Sequence, residues 1–137
     1  MMMKPVLVVD DEPQIRSLVT TLLAREGFQS IEASDGASAF LLAQRLNGEI
    51  SLLLTDISMP VMNGIELARA LKWQFPEIPV LLTSSSPLPL RDSNNAIAGS
   101  VFLQKPFDLR VFAQTIRKLV SQPALKGSTI PEVSLVS

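Results

Sequence analysis

The chain has 137 residues, close to the usual single domain of about 100 to 150. It is 47% hydrophobic and 18% charged, which fits a folded globular protein and excludes disordered and collagen-like classes. Twelve Lys and Arg offset thirteen Asp and Glu, the basic residues are scattered, and there is no Cys and no His; nucleic-acid binding has no electrostatic sign, and zinc thiolate or imidazole sites, Cys nucleophiles, histidine triads and disulfides are excluded.

In chain order, Val6 to Val9 is a continuous, mostly β-branched run, as expected of a strand covered on both faces of a parallel sheet. Too short for a signal-peptide core or for the roughly 20 residues of a membrane span, it points to a cytoplasmic protein. It ends at Asp10-Asp11. After Pro13, apolar residues at 15, 18, 19, 22 and 23 predict a helix that Gly27 stops.

The unit then repeats. Residues 28–33 read as a strand, Ser34-Asp35-Gly36 as a turn, and 37–46, carrying Phe40, Leu41 and Leu42, as a helix closed by Asn47-Gly48. Residues 50–55 form a third strand, ended by another acid, Asp56. A loop over 57–63 opens into a helix over 64–75 with Ile65, Leu67, Ala68 and Leu71 on its apolar side, and Trp73 is expected to cover the edge of the core. Residues 80–82 and 101–103 are the fourth and fifth strands, ended by Thr83-Ser84-Ser85-Ser86 and Lys105-Pro106-Phe107. The segment between them, with Pro87 and Pro89, predicts only a short or irregular helix. Asp108 caps a last helix with Leu109, Phe112, Ile116 and Leu119 on one face. Residues 1–120 are read as the folded domain and 121–137 as a flexible tail or linker.

Five β/α alternations with hydrophobic strands predict an α/β, doubly wound parallel sheet with helices on both faces. In such sheets the ligand site lies outside the carboxyl ends of the strands. Those ends carry Asp10 and Asp11, Asp56, Ser84 and Lys105. Three crowded carboxylates call for a cation, and an all-oxygen set with room for water suits Mg2+ better than Ca2+. Asp56, alone on its strand, is the candidate nucleophile toward phosphorus, forming an aspartyl phosphate. Asp10 and Asp11 are then the metal-holding pair, Lys105 the cation facing the phosphoryl group, and Ser84 a hydrogen-bond donor to it. The six glycines are isolated, so neither a Walker loop nor a dinucleotide fingerprint is present. Plainer readings stand beside these: helix capping for Asp10 and Asp11, a loop acid for Asp56, a turn hydroxyl for Ser84 and a solvated loop lysine for Lys105.

Together and in order, Val9-Asp10-Asp11-Glu12, Asp56-Ile57-Ser58-Met59-Pro60 with Gly64, Thr83-Ser84 and Lys105-Pro106-Phe107 resemble the receiver domain of response regulators in two-component signalling, over about residues 4–120. The resemblance implies a flavodoxin-like sheet of order 2-1-3-4-5, with Asp56 as phosphoacceptor. It implies Mg2+ held by Asp10, Asp11, Asp56 and the backbone carbonyl of Ser58. It further implies Ser84 as a switch hydroxyl, Phe102 at the aromatic switch position, Lys105 as the phosphate-binding lysine and a cis peptide before Pro106. The implied donor is a phosphohistidine on a histidine kinase or histidine phosphotransfer protein, and the output is altered binding of a downstream effector protein. Chemistry is confined to self-phosphorylation and self-dephosphorylation, with no nucleic-acid or membrane partner. The chain departs from the pattern in that Phe102 has no hydroxyl, the segment before strand five is eroded, and no effector domain follows residue 120. The alternatives are an unphosphorylated protein-interaction adaptor and, more remotely, a hydrolase working through an aspartyl phosphate.

Overall fold

The computed structural model of the chain describes residues 3–86, 97 and 99–121. Its elements are β1 (Val6–Val9), α1 (Pro13–Arg25), β2 (Ser30–Ala33), α2 (Gly36–Arg45), β3 (Leu52–Asp56), α3 (Gly64–Gln74), β4 (Val80–Ser84), β5 (Ser100–Gln104) and α4 (Leu109–Ser121). The strands form one parallel sheet in the order β2-β1-β3-β4-β5, the doubly wound arrangement that the alternation and the resemblance both predict. The irregular helix expected between β4 and β5, and the tail over 121–137 apart from Ser121, lie outside the described residues. No helix among the described residues is long and apolar enough to cross a membrane.

Side chains alternate between the two faces of a strand, and this parity divides the core in two. Leu7, Val9, Leu53, Val80 and Leu82 pack with Ala39, Ala43, Ile65, Leu67, Ala68 and Leu71, which places α2 and α3 over one face. Val6, Val8, Leu52, Leu54 and Leu81 pack with Val19, Leu23, Phe112, Ile116 and Leu119, which places α1 and α4 over the other.

The helix ends have local causes. Gly27, at φ 88, closes α1 with bonds from its own N–H to the Ala24 carbonyl and from the Phe28 N–H to the Leu23 carbonyl, the pairing of a Schellman cap. Asn47 and Gly48 close α2 in the same way. Asp35 caps α2 by accepting from the Ser38 N–H at 2.7 Å, Asn63 and Glu66 form a capping box on α3, and Asp108 accepts from the N–H groups of Arg110 and Val111 at the start of α4, as expected.

Several apolar helix positions face water instead of the core. Trp73 is 90% exposed: it lies two residues past buried Leu71, about 200° around the helix and so opposite the buried stripe. It does not cover the core edge. Leu41, between buried Ala39 and Ala43, is exposed for the same reason, and Leu18 lies just outside the stripe of Val19 and Leu23. Leu109 is also exposed, at the first turn of α4.

Candidate functional site

The same parity that builds the α1/α4 face of the core also builds the site. Followed along that face, the strands give Val6-Val8-Asp10, Leu52-Leu54-Asp56 and Val101-Leu103-Lys105, with Asp56 the last residue of β3 and Asp10 and Lys105 the first residues beyond β1 and β5. The paired residues Val9 and Thr55 place Asp10 beside Asp56 one step further on. Apolar rows thus end in charged tips at the carboxyl edge of the sheet, where water becomes accessible.

Asp10 and Asp56 are buried there, at 4% and 6% exposure, while Asp11 is exposed. One carboxylate oxygen from each of the three lies within 4.8 Å of the others. Lys105 Nζ donates to Asp10 Oδ2 and to Asp56 Oδ1, each at 3.2 Å. Lys105 is therefore not a solvated loop lysine; its side chain is 17% exposed and bridges two strands' acids. Nor are the paired acids a simple helix cap. The N-cap of α1 is Glu12, and Asp10 Oδ1 accepts from the Glu12 N–H at 2.9 Å, fixing the carboxylate across the turn.

Burial raises the Asp56 pKa, Asp10 and Asp11 push it further up, and Lys105 offsets part of this. Burial works against the Lys105 ammonium, but the attraction of Asp56 and Asp10 outweighs it, and its pKa is raised. Three carboxylates facing one ammonium leave an excess of negative charge. An all-oxygen donor set with this excess fits a hard divalent cation such as Mg2+.

Ser84 is the last residue of β4, buried, with its carbonyl accepting from the Lys105 N–H at 2.7 Å. Its hydroxyl accepts from the Ser86 N–H at 3.1 Å, a local turn contact. Phe102 is half-buried, paired with Leu82 and packed against the α2/α3 core. Alternation puts Ser84 and Phe102 on that same face. Ser58 lies exposed in the loop after β3, and the Lys105–Pro106 peptide is cis, as the resemblance implies.

Gly64 stands within the motif read from sequence, without the reason for it, and Arg16 was not singled out. A Cβ on Gly64 would stand 2.2 Å from the Asp56 carbonyl oxygen, so only glycine lets α3 begin this close to the strand end; its N–H donates to the Ile57 carbonyl and closes the loop. Arg16 donates from Nη1 to the Asp10 carbonyl at 2.7 Å and from Nε to Glu32 at 3.0 Å. Its sequence signal is position: it falls three residues before Val19 and seven before Leu23, on the buried stripe of α1, where a charge has to find partners.

The family model described as response regulator receiver domain matches residues 6–117. The response regulator receiver protein CpdR of Brucella abortus is 35% identical over 120 residues, covering 86% of this chain and 98% of that protein. The transcriptional regulatory protein CpxR of Escherichia coli is 36% identical over 119 residues, and this chain spans about half of its length, 50%. Among solved structures, the chemotaxis protein CheY4 of Vibrio cholerae superposes with a TM-score of 0.76 at 29% identity, covering 86% of this chain and 99% of that one. The receiver domain of the hybrid histidine kinase CckA superposes at 0.72 with 29% identity, covering 85% and 99%.

Proposed function

The chain belongs to the response regulator receiver family, and on that premise we propose that it accepts a phosphoryl group on Asp56 from a phosphohistidine donor, in a Mg2+-dependent reaction, and thereby switches its binding to an effector protein in the cytoplasm. The observation that supports this best is the meeting of Asp10 and Asp56 on one ammonium, with the Asp11 carboxylate beside them.

An Asp56 carboxylate oxygen attacks phosphorus, the P–N bond to the donor imidazole breaks as the P–O bond forms, and the departing imidazole takes up a proton. Asp56 is the last residue of β3, at the carboxyl edge of the sheet, where a partner's phosphohistidine can approach. The carboxylates of Asp10, Asp11 and Asp56 with the Ser58 carbonyl would hold Mg2+, which when bound neutralises charge on the phosphoryl oxygens. Lys105, already on Asp56 Oδ1, supplies a second positive charge to an oxygen of the transferred group. Ser84 exchanges its contact with the Ser86 N–H for a phosphoryl oxygen, and Phe102, on the same face, responds to that movement. These 137 residues hold no histidine, so the donor imidazole lies outside them, on a kinase or phosphotransfer domain. The covalent chemistry is limited to Asp56 itself.

Incubation with acetyl phosphate and Mg2+ tests the reading. Mass spectrometry of the intact protein is expected to show one added phosphoryl group, absent without Mg2+ and absent in Asp56→Asn. Unmodified wild-type protein under these conditions overturns it. The adaptor alternative is favoured by the eroded segment before β5, most of which lies outside the described residues, but no described contact supports it.

A further inference from the structure

We propose that Arg16 is a positioning residue for the acid pair, setting the direction in which Asp11 leaves β1 and thereby the affinity of the site for a divalent cation. The inference rests on the metal reading above and goes beyond it to a residue outside the cluster.

The carbonyl that Arg16 holds belongs to the peptide joining Asp10 to Asp11. Every other polar group of Asp10 has a partner of its own. Its N–H donates to the Ala33 carbonyl in continuation of the sheet, Oδ1 accepts from the Glu12 N–H, and Oδ2 accepts from Lys105. Beyond Val9 and Ala33 the pairing of β1 with β2 ends, and at this point the guanidinium takes the Asp10 carbonyl. The guanidinium restrains the rotation of the peptide whose carbonyl it holds, and the preceding peptide is held by the bond from the Asp10 N–H to the Ala33 carbonyl. Asp11 is exposed and makes no side-chain hydrogen bond or ion pair among the described residues, so the peptide plane before it governs where its carboxylate stands.

Arg16 is itself well anchored. Its side chain is 18% exposed, and Nε is tied to Glu32 on β2. One planar fork thus joins α1, the end of β1 and β2, and a lysine, with a single nitrogen, cannot reproduce contacts to two acceptors in different directions.

Charge and geometry predict opposite outcomes. A guanidinium near a cation site repels the cation, so by Coulomb's law alone its removal tightens binding. If Arg16 acts by holding the peptide, its removal weakens binding, in the manner of groups that orient metal ligands from behind.

The test is calorimetric titration of MgCl2 into the metal-free full-length protein, with thermal unfolding in EDTA measured in parallel. Arg16→Ala is expected to raise the Mg2+ Kd about tenfold, and Arg16→Lys, which keeps the charge and one donor, to recover part of that loss. Should the alanine variant not fold, the lysine variant still carries the test, since it keeps the full positive charge and is expected to bind more weakly than wild type. An unchanged or lower Kd in a folded variant overturns the inference, as does a lowered Tm in EDTA with the Kd of wild type, which marks a merely structural role. Wild-type protein that shows no saturable binding overturns the metal reading itself, an outcome separate from the other two.

Discussion

The ammonium of Lys105 stands 3.2 Å from Asp56 Oδ1, yet this contact does not bring Asp56 down to an ordinary carboxylate pKa. Burial, with Asp10 and Asp11 adding to it, outweighs the lysine. The lysine gains where the acid loses, because it is attracted by two buried carboxylates, while Asp56 has one cation and two like charges for neighbours.

A raised folded-state pKa means that folded Asp56 holds its proton at pH values where the unfolded chain has released it. Across that window, from about the ordinary 3.8 upward, the folded state binds more protons and stability falls as pH rises. Asp56→Asn removes the decline. In EDTA at neutral pH the variant is expected to melt about 3 °C above wild type, with the difference vanishing at low pH where Asp56 is protonated. A Tm at or below that of wild type across the range would contradict this.

Lys105 gives the complementary pair of effects. Its pKa is raised in the fold, so its stabilising contribution is complete below the ordinary 10.5 and is lost as pH rises through the higher folded value. Lys105→Ala is expected to lower stability in EDTA by about 1–3 kcal/mol, because two buried carboxylates lose their cation, and to flatten the alkaline decline. The same variant is expected to bind Mg2+ about fivefold more tightly, corresponding to the ~1 kcal/mol that a unit charge exerts at roughly 4 Å in a water-like dielectric. Urea unfolding and calorimetry measure the two effects separately.

How far these relationships could be read from sequence depends on their periodicity. The row Val6-Val8-Asp10 repeats in Leu52-Leu54-Asp56, so an apolar run ended by an acid marks both the strand and the site at its tip. Lys105 is legible for the same reason. Side-chain direction on helices is less so: Trp73 and Leu41 are apolar and helical, yet a two-residue offset from the buried stripe places them in water. Arg16 was passed over as one of several scattered basic residues, since composition does not record that its partner is a backbone carbonyl.

Trp73 is the only tryptophan and is 90% exposed, which makes its environment measurable. Its fluorescence is expected to be quenched by acrylamide as readily in the folded protein as in urea. Trp73→Ala is expected to change stability by no more than about 0.5 kcal/mol. Marked protection from acrylamide would restore the core-edge position expected from sequence.

Val61, in the loop between β3 and α3, is fully exposed and adopts φ 69, a left-handed conformation that a β-branched residue tolerates poorly. Its side chain has no packing to lose. Val61→Asn, which accepts this conformation more readily, is expected to stabilise the protein by about 1 kcal/mol in urea unfolding, whereas a destabilised variant would show that the valine makes contacts the fold depends on.

Gly64 presents the opposite case, a position where space and not conformation is limiting. A Cβ there would lie 2.2 Å from the Asp56 carbonyl oxygen and 2.9 Å from the Ile57 Cα, both backbone atoms that cannot swing aside. Alanine therefore has to push the start of α3 away from the end of β3, and the Gly64 N–H bond to the Ile57 carbonyl and the Asn63–Glu66 capping box move with it. Gly64→Ala is expected to cost about 1–3 kcal/mol by chemical denaturation, as overpacking of a filled site does. The displaced backbone is that of Asp56, the proposed phosphoacceptor, so the variant is also expected to accept the phosphoryl group from acetyl phosphate more slowly even where it remains fully folded. Gly27→Ala serves as the control. Nothing lies within 4 Å of a Cβ at Gly27, so its cost arises from φ 88 alone and is expected to leave phosphorylation at the wild-type rate. Equal phosphorylation rates in the two variants would show that the close approach at Gly64 has no bearing on the acceptor.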